Sequence, residues 1–163
     1  MDGIRHPGHR ALRVGRTSLP GQVYLVTTVV RNREPLFARP ALAWAACRAL
    51  HAHLDRPGLA CLCWVLMPDH LHLLLRLAEG NLSRRVGYLK ARMAAAVNQQ
   101  RGGTGPLWCR GFHDHAMRTD EDLAKAAAYV LANPVRAGLA DSPMAYPWWN
   151  CSWTPNPGEP LPL

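Results

Sequence analysis

The succession of strand-like and helix-like segments predicts an α+β fold. Residues 22–31, 59–66 and 70–77 are β-branched or alternate with a period of two, whereas 40–55, 81–100 and 119–133 repeat their apolar residues every three or four positions. A third observation is the turn Met67-Pro68-Asp69, which joins two of the strand-like runs and predicts an antiparallel hairpin. At 163 residues the chain is long enough to bury one core without disulfide or metal staples. The division expected is a basic arm at 1–20, a single domain at 21–153 and a Pro-rich, disordered tail at 154–163.

The elements follow in order. Residues 1–20 carry Arg5, Arg10, Arg13 and Arg16 among Gly, Pro and His with no apolar period, which suits an arm that docks on phosphates or stays solvated. QVYLVTTVVR (22–31) follows a Pro-Gly turn signal and is the first strand. Leu42, Ala46, Leu50 and Leu54 then mark a helix that Pro40 starts and Pro57-Gly58 stops. LACLCWVL (59–66) and the strand after the turn form the hairpin. Asn81 is the expected N-cap of a second helix whose buried face is Leu82, Val86, Leu89, Met93 and Val97.

Between Arg84 and Arg110 there is no acidic residue, and the flexible loop Gly102-Gly103-Thr104-Gly105-Pro106 falls inside this basic span. Arg85 and Arg92 share one flank of the helix and Lys90 lies on the other. Residues 107–118 read as a further strand that His113, Asp114 and His115 finish. Thr119 and Asp122 open a third helix as a capping box, and Asn133-Pro134 is expected to end it, because a residue before proline is pushed out of the α region. The Trp- and Pro-rich residues 146–153 read as a hydrophobic flap.

Nineteen Lys and Arg against eleven Asp and Glu give a net charge of +8, which points to a polyanionic partner, nucleic acid ahead of an acidic membrane surface. Five cysteines and no apolar leader imply a reduced, cytoplasmic compartment. The apolar run at 57–68 is too short to span a bilayer.

The chemistry concentrates in MPDHLHLLL (67–75). On a strand, His70 and His72 point to one face while Leu71, Leu73, Leu75 and Leu77 supply the other. On the third helix Lys125, Tyr129 and Asn133 stack at intervals of four. With that side of the helix over the histidine face, two neutral imidazoles and the Asn133 amide oxygen would hold a divalent ion. Tyr129 would be a nucleophile suited to reversible strand transfer, and Lys125 would hold phosphate or favour the tyrosinate. The bland readings are a hydrogen-bonded histidine pair and a core tyrosine.

Rival readings use the same residues. Cys61 and Cys63, read as sharing one strand face, could complete a zinc-binding hairpin with the histidines. A histidine-triad hydrolase would need histidine where Leu74 stands. A non-catalytic protein that binds hairpin DNA or RNA on an RRM-like sheet explains the charge, but not His70, His72, Tyr129 and Asn133 together.

GRTSLPGQVYLVTT (15–28), MPDHLHLLL (67–75) and AYVLANPVRAGL (128–139), occurring together and in this order within residues 10–153, resemble the HUH-superfamily single-tyrosine transposases, most closely the REP-associated branch. The resemblance implies a ferredoxin-like or RRM-like antiparallel sheet whose helix-free side receives the tyrosine helix. It implies nicking and joining of single-stranded DNA with Mg²⁺ or Mn²⁺, leaving a 5′-phosphotyrosine and a free 3′-hydroxyl. His70 and His72 match the metal pair and Tyr129 the nucleophile, while Asn133 matches the third-ligand position, where relatives often carry Gln. A palindromic hairpin substrate is implied too, with Arg13, Arg16, Arg84, Arg85, Lys90, Arg92 and Arg110 as candidate DNA contacts. The resemblance leaves open whether the tyrosine helix serves its own sheet or a partner's, and so monomer or homodimer.

Overall fold

The computed structural model describes residues 18–152 apart from 55 and 119, so Arg13, Arg16, the Thr119 cap and the Pro-rich tail lie outside the described residues. The order is β1 (Val23–Val29), α1 (Pro40–Leu54), β2 (Leu59–Leu66), β3 (His70–Leu77), α2 (Leu82–Arg101), β4 (His113–Ala116), α3 (Asp120–Arg136) and β5 (Trp149–Cys151). The strands form an antiparallel sheet in the order β4-β1-β3-β2-β5. Its first four strands with α1 and α2 make the ferredoxin-like arrangement, and β5 adds an edge beside β2.

The alternation of β3 divides the molecule into layers. Leu71, Leu73, Leu75 and Leu77 are at most 1 % exposed and pack beneath α1 and α2 with Leu50, Val86, Leu89 and Met93. Each such leucine contributes about 2 kcal/mol by leaving water. On the opposite face Leu74, Cys63 and Val65 meet Leu123, Ala127 and Val130 of α3. The histidines belong to this second face, because His72 lies across from Thr27 on β1 and from Val65 on β2. Helix α2 is held at both ends. The Asn81 side chain accepts from the Arg84 N–H at 3.1 Å, the Ser18 hydroxyl accepts from the Leu82 N–H at 3.1 Å, and Gly102 closes the helix at φ 64°.

Four sequence expectations are corrected. Helix α3 does not stop at Asn133 but continues through Pro134 to Arg136. Its end is built instead by Gly138 at φ 69°, whose N–H reaches Val135 O, while the Leu139 N–H reaches Pro134 O at 2.8 Å, a Schellman closure. In the last turn the proline forfeits one helical bond rather than breaking a helix in mid-course.

The strand predicted over 107–118 is only His113–Ala116, since Gly105 and Gly111 turn the chain at positive φ and send Leu107, Trp108 and Phe112 into the core. The flap is a strand in part: Trp149–Cys151 pairs with β2, and the buried Tyr146 hydroxyl donates to Leu66 O at 2.7 Å. Finally, Cys61 and Cys63 do not share a face. A bulge between them shifts the β2–β3 register, so Cys61 packs toward α1 and α2 and Cys63 toward α3.

Candidate active site on the α3 face of the sheet

His70 and His72 stand side by side where β3 emerges from the turn, ring centroids 4.8 Å apart and nearly perpendicular. Neither is left to rotate. The Asp69 carboxylate accepts from His70 Nδ1 at 2.5 Å, and Asp69 is itself bound by Arg33 at 3.2 Å. Burial raises the Asp69 carboxyl, but the hydrogen bond and charge of His70, with Arg33, outweigh it and hold the group below its usual range. Arg33 reaches this point from a turn in which Asn32 and Arg33 both adopt left-handed backbone, at φ 58° and 51°. That conformation costs about 1–2 kcal/mol per residue, and it is retained where it aims a cation at the site.

His72 is 5 % exposed and is held from two sides. Thr27 Oγ1 lies 2.8 Å from its Nδ1, and the Asn133 side chain is close enough to act on the ring from the other side. Burial chiefly, and then the neighbouring His70, push its pKa down to about 4, with the Asn133 acceptor opposing them. The ring is therefore a neutral imidazole at neutral pH, the form that has a lone pair to give.

Helix α3 brings Tyr129 and Asn133 to this pair because both lie on one side of it, a turn apart. The Tyr129 ring meets the His72 ring edge-on at a centroid distance of 5.6 Å and is 40 % exposed, so the phenol is open to a ligand. The Asn133 amide donates to Tyr129 O at 2.8 Å, which orients its oxygen away from the helix axis. The Arg136 guanidinium lies 5.1 Å over the Tyr129 ring. Lys125 is exposed one turn before Tyr129.

The donor set suits a hard or borderline divalent ion: two imidazoles, one with a carboxylate behind it and one with a hydroxyl behind it, and an amide side chain beside them. Among the described residues no three His, Cys, Asp or Glu side chains gather to hold a metal. Asn133 is the residue named from the sequence that could add a third ligand to the histidine pair. The zinc hairpin loses its basis with the β2 bulge. Cys63 also faces Cys151, whose hydrogen bond, together with burial, raises the Cys63 thiol and opposes the thiolate a metal would need.

Of the residues named from the sequence, His70, His72, Tyr129 and Asn133 come together. Arg84, Arg85 and Arg92 lie on α2, across the sheet from them, and Arg110 is exposed in the loop before β4. Lys90 is turned inward instead: its ammonium donates to Cys109 O at 2.8 Å and Gly111 O at 2.5 Å, tethering the segment that leads into β4. Sequence reasoning missed Asp69, Thr27 and Arg136. Asp69 adjoins the histidines and Arg136 lies seven residues beyond Tyr129, both readable spacings, but Thr27 depends on strand register and left no local signal.

A family model described as "Transposase IS200 like" matches residues 20–133. A curated Haemophilus influenzae relative, assigned by name to the REP-associated tyrosine transposases, is 32 % identical over 94 residues, which is 51 % of this chain and about half, 53 %, of the relative. The REP-associated tyrosine transposase of Escherichia coli is 25 % identical over 135 residues, covering 82 % of this chain and 78 % of that one. Among solved structures, a REP-associated tyrosine transposase bound to a REP hairpin superposes with a TM-score of 0.63 at 24 % identity, over 82 % of this chain and 79 % of the other. That last likeness is one of fold. Among the described residues no helix is long and apolar enough to cross a membrane.

Proposed function

Because the chain belongs to the IS200-like transposase family, we propose that it cuts and rejoins single-stranded DNA through a 5′-phosphotyrosine on Tyr129, acting in the cytoplasm on REP-type hairpins like the one bound by its structural relative. The observation that carries this reading is the convergence of Tyr129 and Asn133 on His70 and His72, polar groups from two elements more than fifty residues apart that meet beside the apolar contact of α3 with the sheet.

In the proposed reaction the Tyr129 Oη gives up its proton and attacks the phosphorus of a phosphodiester. The bond from phosphorus to the 3′-oxygen breaks, and that oxygen leaves with a proton as a free 3′-hydroxyl. The 5′ end stays joined to Tyr129. Attack by another 3′-hydroxyl on the phosphotyrosyl phosphorus reverses the step and releases the phenol, so no external energy source is needed. Arg136 above the ring and Lys125 one turn earlier bring positive charge to where the phosphate must sit. His70, His72 and Asn133 would hold Mg²⁺ or Mn²⁺, which when bound polarises the phosphodiester and offsets charge in the transition state. Asp69 and Thr27 keep the two imidazoles in the orientation this requires.

Incubation with a single-stranded hairpin oligonucleotide and Mg²⁺ or Mn²⁺ is expected to yield a protein–DNA adduct that survives denaturation. Tyr129→Phe should abolish it, and His70→Ala should reduce it far more than it reduces binding, because binding contacts go mainly to phosphates. Tight binding by the wild type with no adduct under either metal would replace this reading with that of a hairpin-binding protein.

A further inference from the structure

The far side of the sheet carries a feature that the His70–Tyr129 centre does not use. Between α1, α2 and the segment entering β5 lies an open groove of about 1140 Å³, larger than the pockets that hold small molecules and open along its length. Trp44 of α1, 58 % exposed, stands with its ring centroid 6.4 Å from that of the half-buried Trp148, at 56°, which leaves one indole largely open to solvent beside another that packs on the core. Arg48 of α1 and Arg92 of α2 line the groove. Arg92 is not loose: its Nε donates to His53 Nε2 at 3.1 Å, which fixes the guanidinium across the gap between the helices.

His53 also borders a second hollow, lined by Arg56, Arg84, Arg85 and Tyr88, in which the Arg56 guanidinium lies 4.4 Å over the Tyr88 ring. The two hollows share His53 and so form one track, from the tryptophan pair to the start of α2. Among the described residues lining it none is Asp or Glu.

We propose that this α1/α2 track binds unpaired DNA, bases stacking on Trp44 and Trp148 and phosphates following Arg48, Arg92 and the Arg56–Arg84–Arg85 cluster. Aromatic faces set among arginines, with the carboxylate of Glu79 near Arg85 but no Asp or Glu among the described lining residues, are what single strands need and what a duplex, its bases already stacked, does not use. An acidic protein would match the arginines but leave the indole pair without a role. The inference rests on the chain being a DNA-handling protein. It adds a second contact, on the face of the sheet opposite the reacting one, for the strand that flanks a hairpin.

The probe is an unstructured oligothymidine, followed by fluorescence anisotropy and by quenching of tryptophan emission. Trp44→Ala should weaken binding about tenfold and remove part of the quenching, and Trp44→Phe should restore most of the affinity, since a ring rather than a bulky core group is required. Arg48→Gln should lower the slope of log affinity against log salt by about one. Tyr129→Phe should bind the oligothymidine like the wild type, which separates this test from that of the chemistry. Unchanged affinity in Trp44→Ala and Arg48→Gln, or a blunt duplex of equal length binding as tightly as the single strand and weakening equally in these variants, would overturn the proposal.

Discussion

Replacing Thr27 by valine tests whether the sheet prepares His72 for metal binding or merely buries it. The side chains have nearly the same shape, so the substitution deletes one hydroxyl and little else at a β-strand position that favours valine. That hydroxyl lies 2.8 Å from His72 Nδ1, and the ring is 5 % exposed, so water cannot freely replace it. Leaving a buried ring nitrogen without its partner costs about 1–3 kcal/mol. For a chain of this size that corresponds to a fall in Tm of about 3–9 °C, measurable by circular dichroism in the presence of a chelator. The second consequence is specific to the proposed site. A group that fixes the tautomer and tilt of a metal-ligating histidine typically contributes 10–100-fold to affinity, so titration with Mn²⁺ should give a dissociation constant higher by that factor. Loss of stability with unchanged Mn²⁺ affinity would refute the reasoning, because it would leave Thr27 as a support for the fold and His72 as a buried histidine.

Two further outcomes follow from charges whose surroundings the structure defines. His72 has a folded pKa of about 4 against 6.5 for an ordinary histidine. Between these values the unfolded chain holds a proton that the native one does not, so the stabilising difference is complete above pH 6.5 and is lost as pH falls through 4. Chemical denaturation of the metal-free protein should therefore show a loss of about 3 kcal/mol over that window, and His72→Gln should flatten the dependence. Lys90→Met should lower stability by about 2 kcal/mol by removing charged hydrogen bonds to Cys109 and Gly111. It should leave the salt dependence of DNA binding unchanged, whereas a reduced slope would return Lys90 to the DNA-contacting residues.

The contrast between Lys90 and Arg92 shows where one-dimensional reading reaches its limit. Helical spacing places the two on different flanks of α2, and that much is a matter of geometry alone. Which flank meets solvent depends on the path of residues 107–112, which double back across α2 because glycines at 105 and 111 permit positive φ and Trp108 donates its indole N–H to Lys90 O at 3.1 Å. β1, by contrast, announced itself because its burial alternates and the alternation cannot slip without exposing core residues. β2 and β3 are covered on both faces, and in β2 the apolar residues run nearly unbroken. There the period carries no information about the bulge that separates Cys61 from Cys63.

Helix α3 presents the sharpest case. By the rule for residues before proline, α3 should end at Asn133, and the same rule would leave that side chain at a frayed terminus with no fixed direction. The helix instead carries on for most of a turn, closed by Gly138 and Leu139, and the Asn133 amide bonds back to Tyr129 O. Keeping the backbone helical at residue 133 is what places its side chain exactly one turn beyond Tyr129 and against His72. The local preference was outweighed by the closure beyond it. A rule of local sequence is broken at the residue where the site needs it broken, which is where departures from local consistency are to be sought in a functional protein.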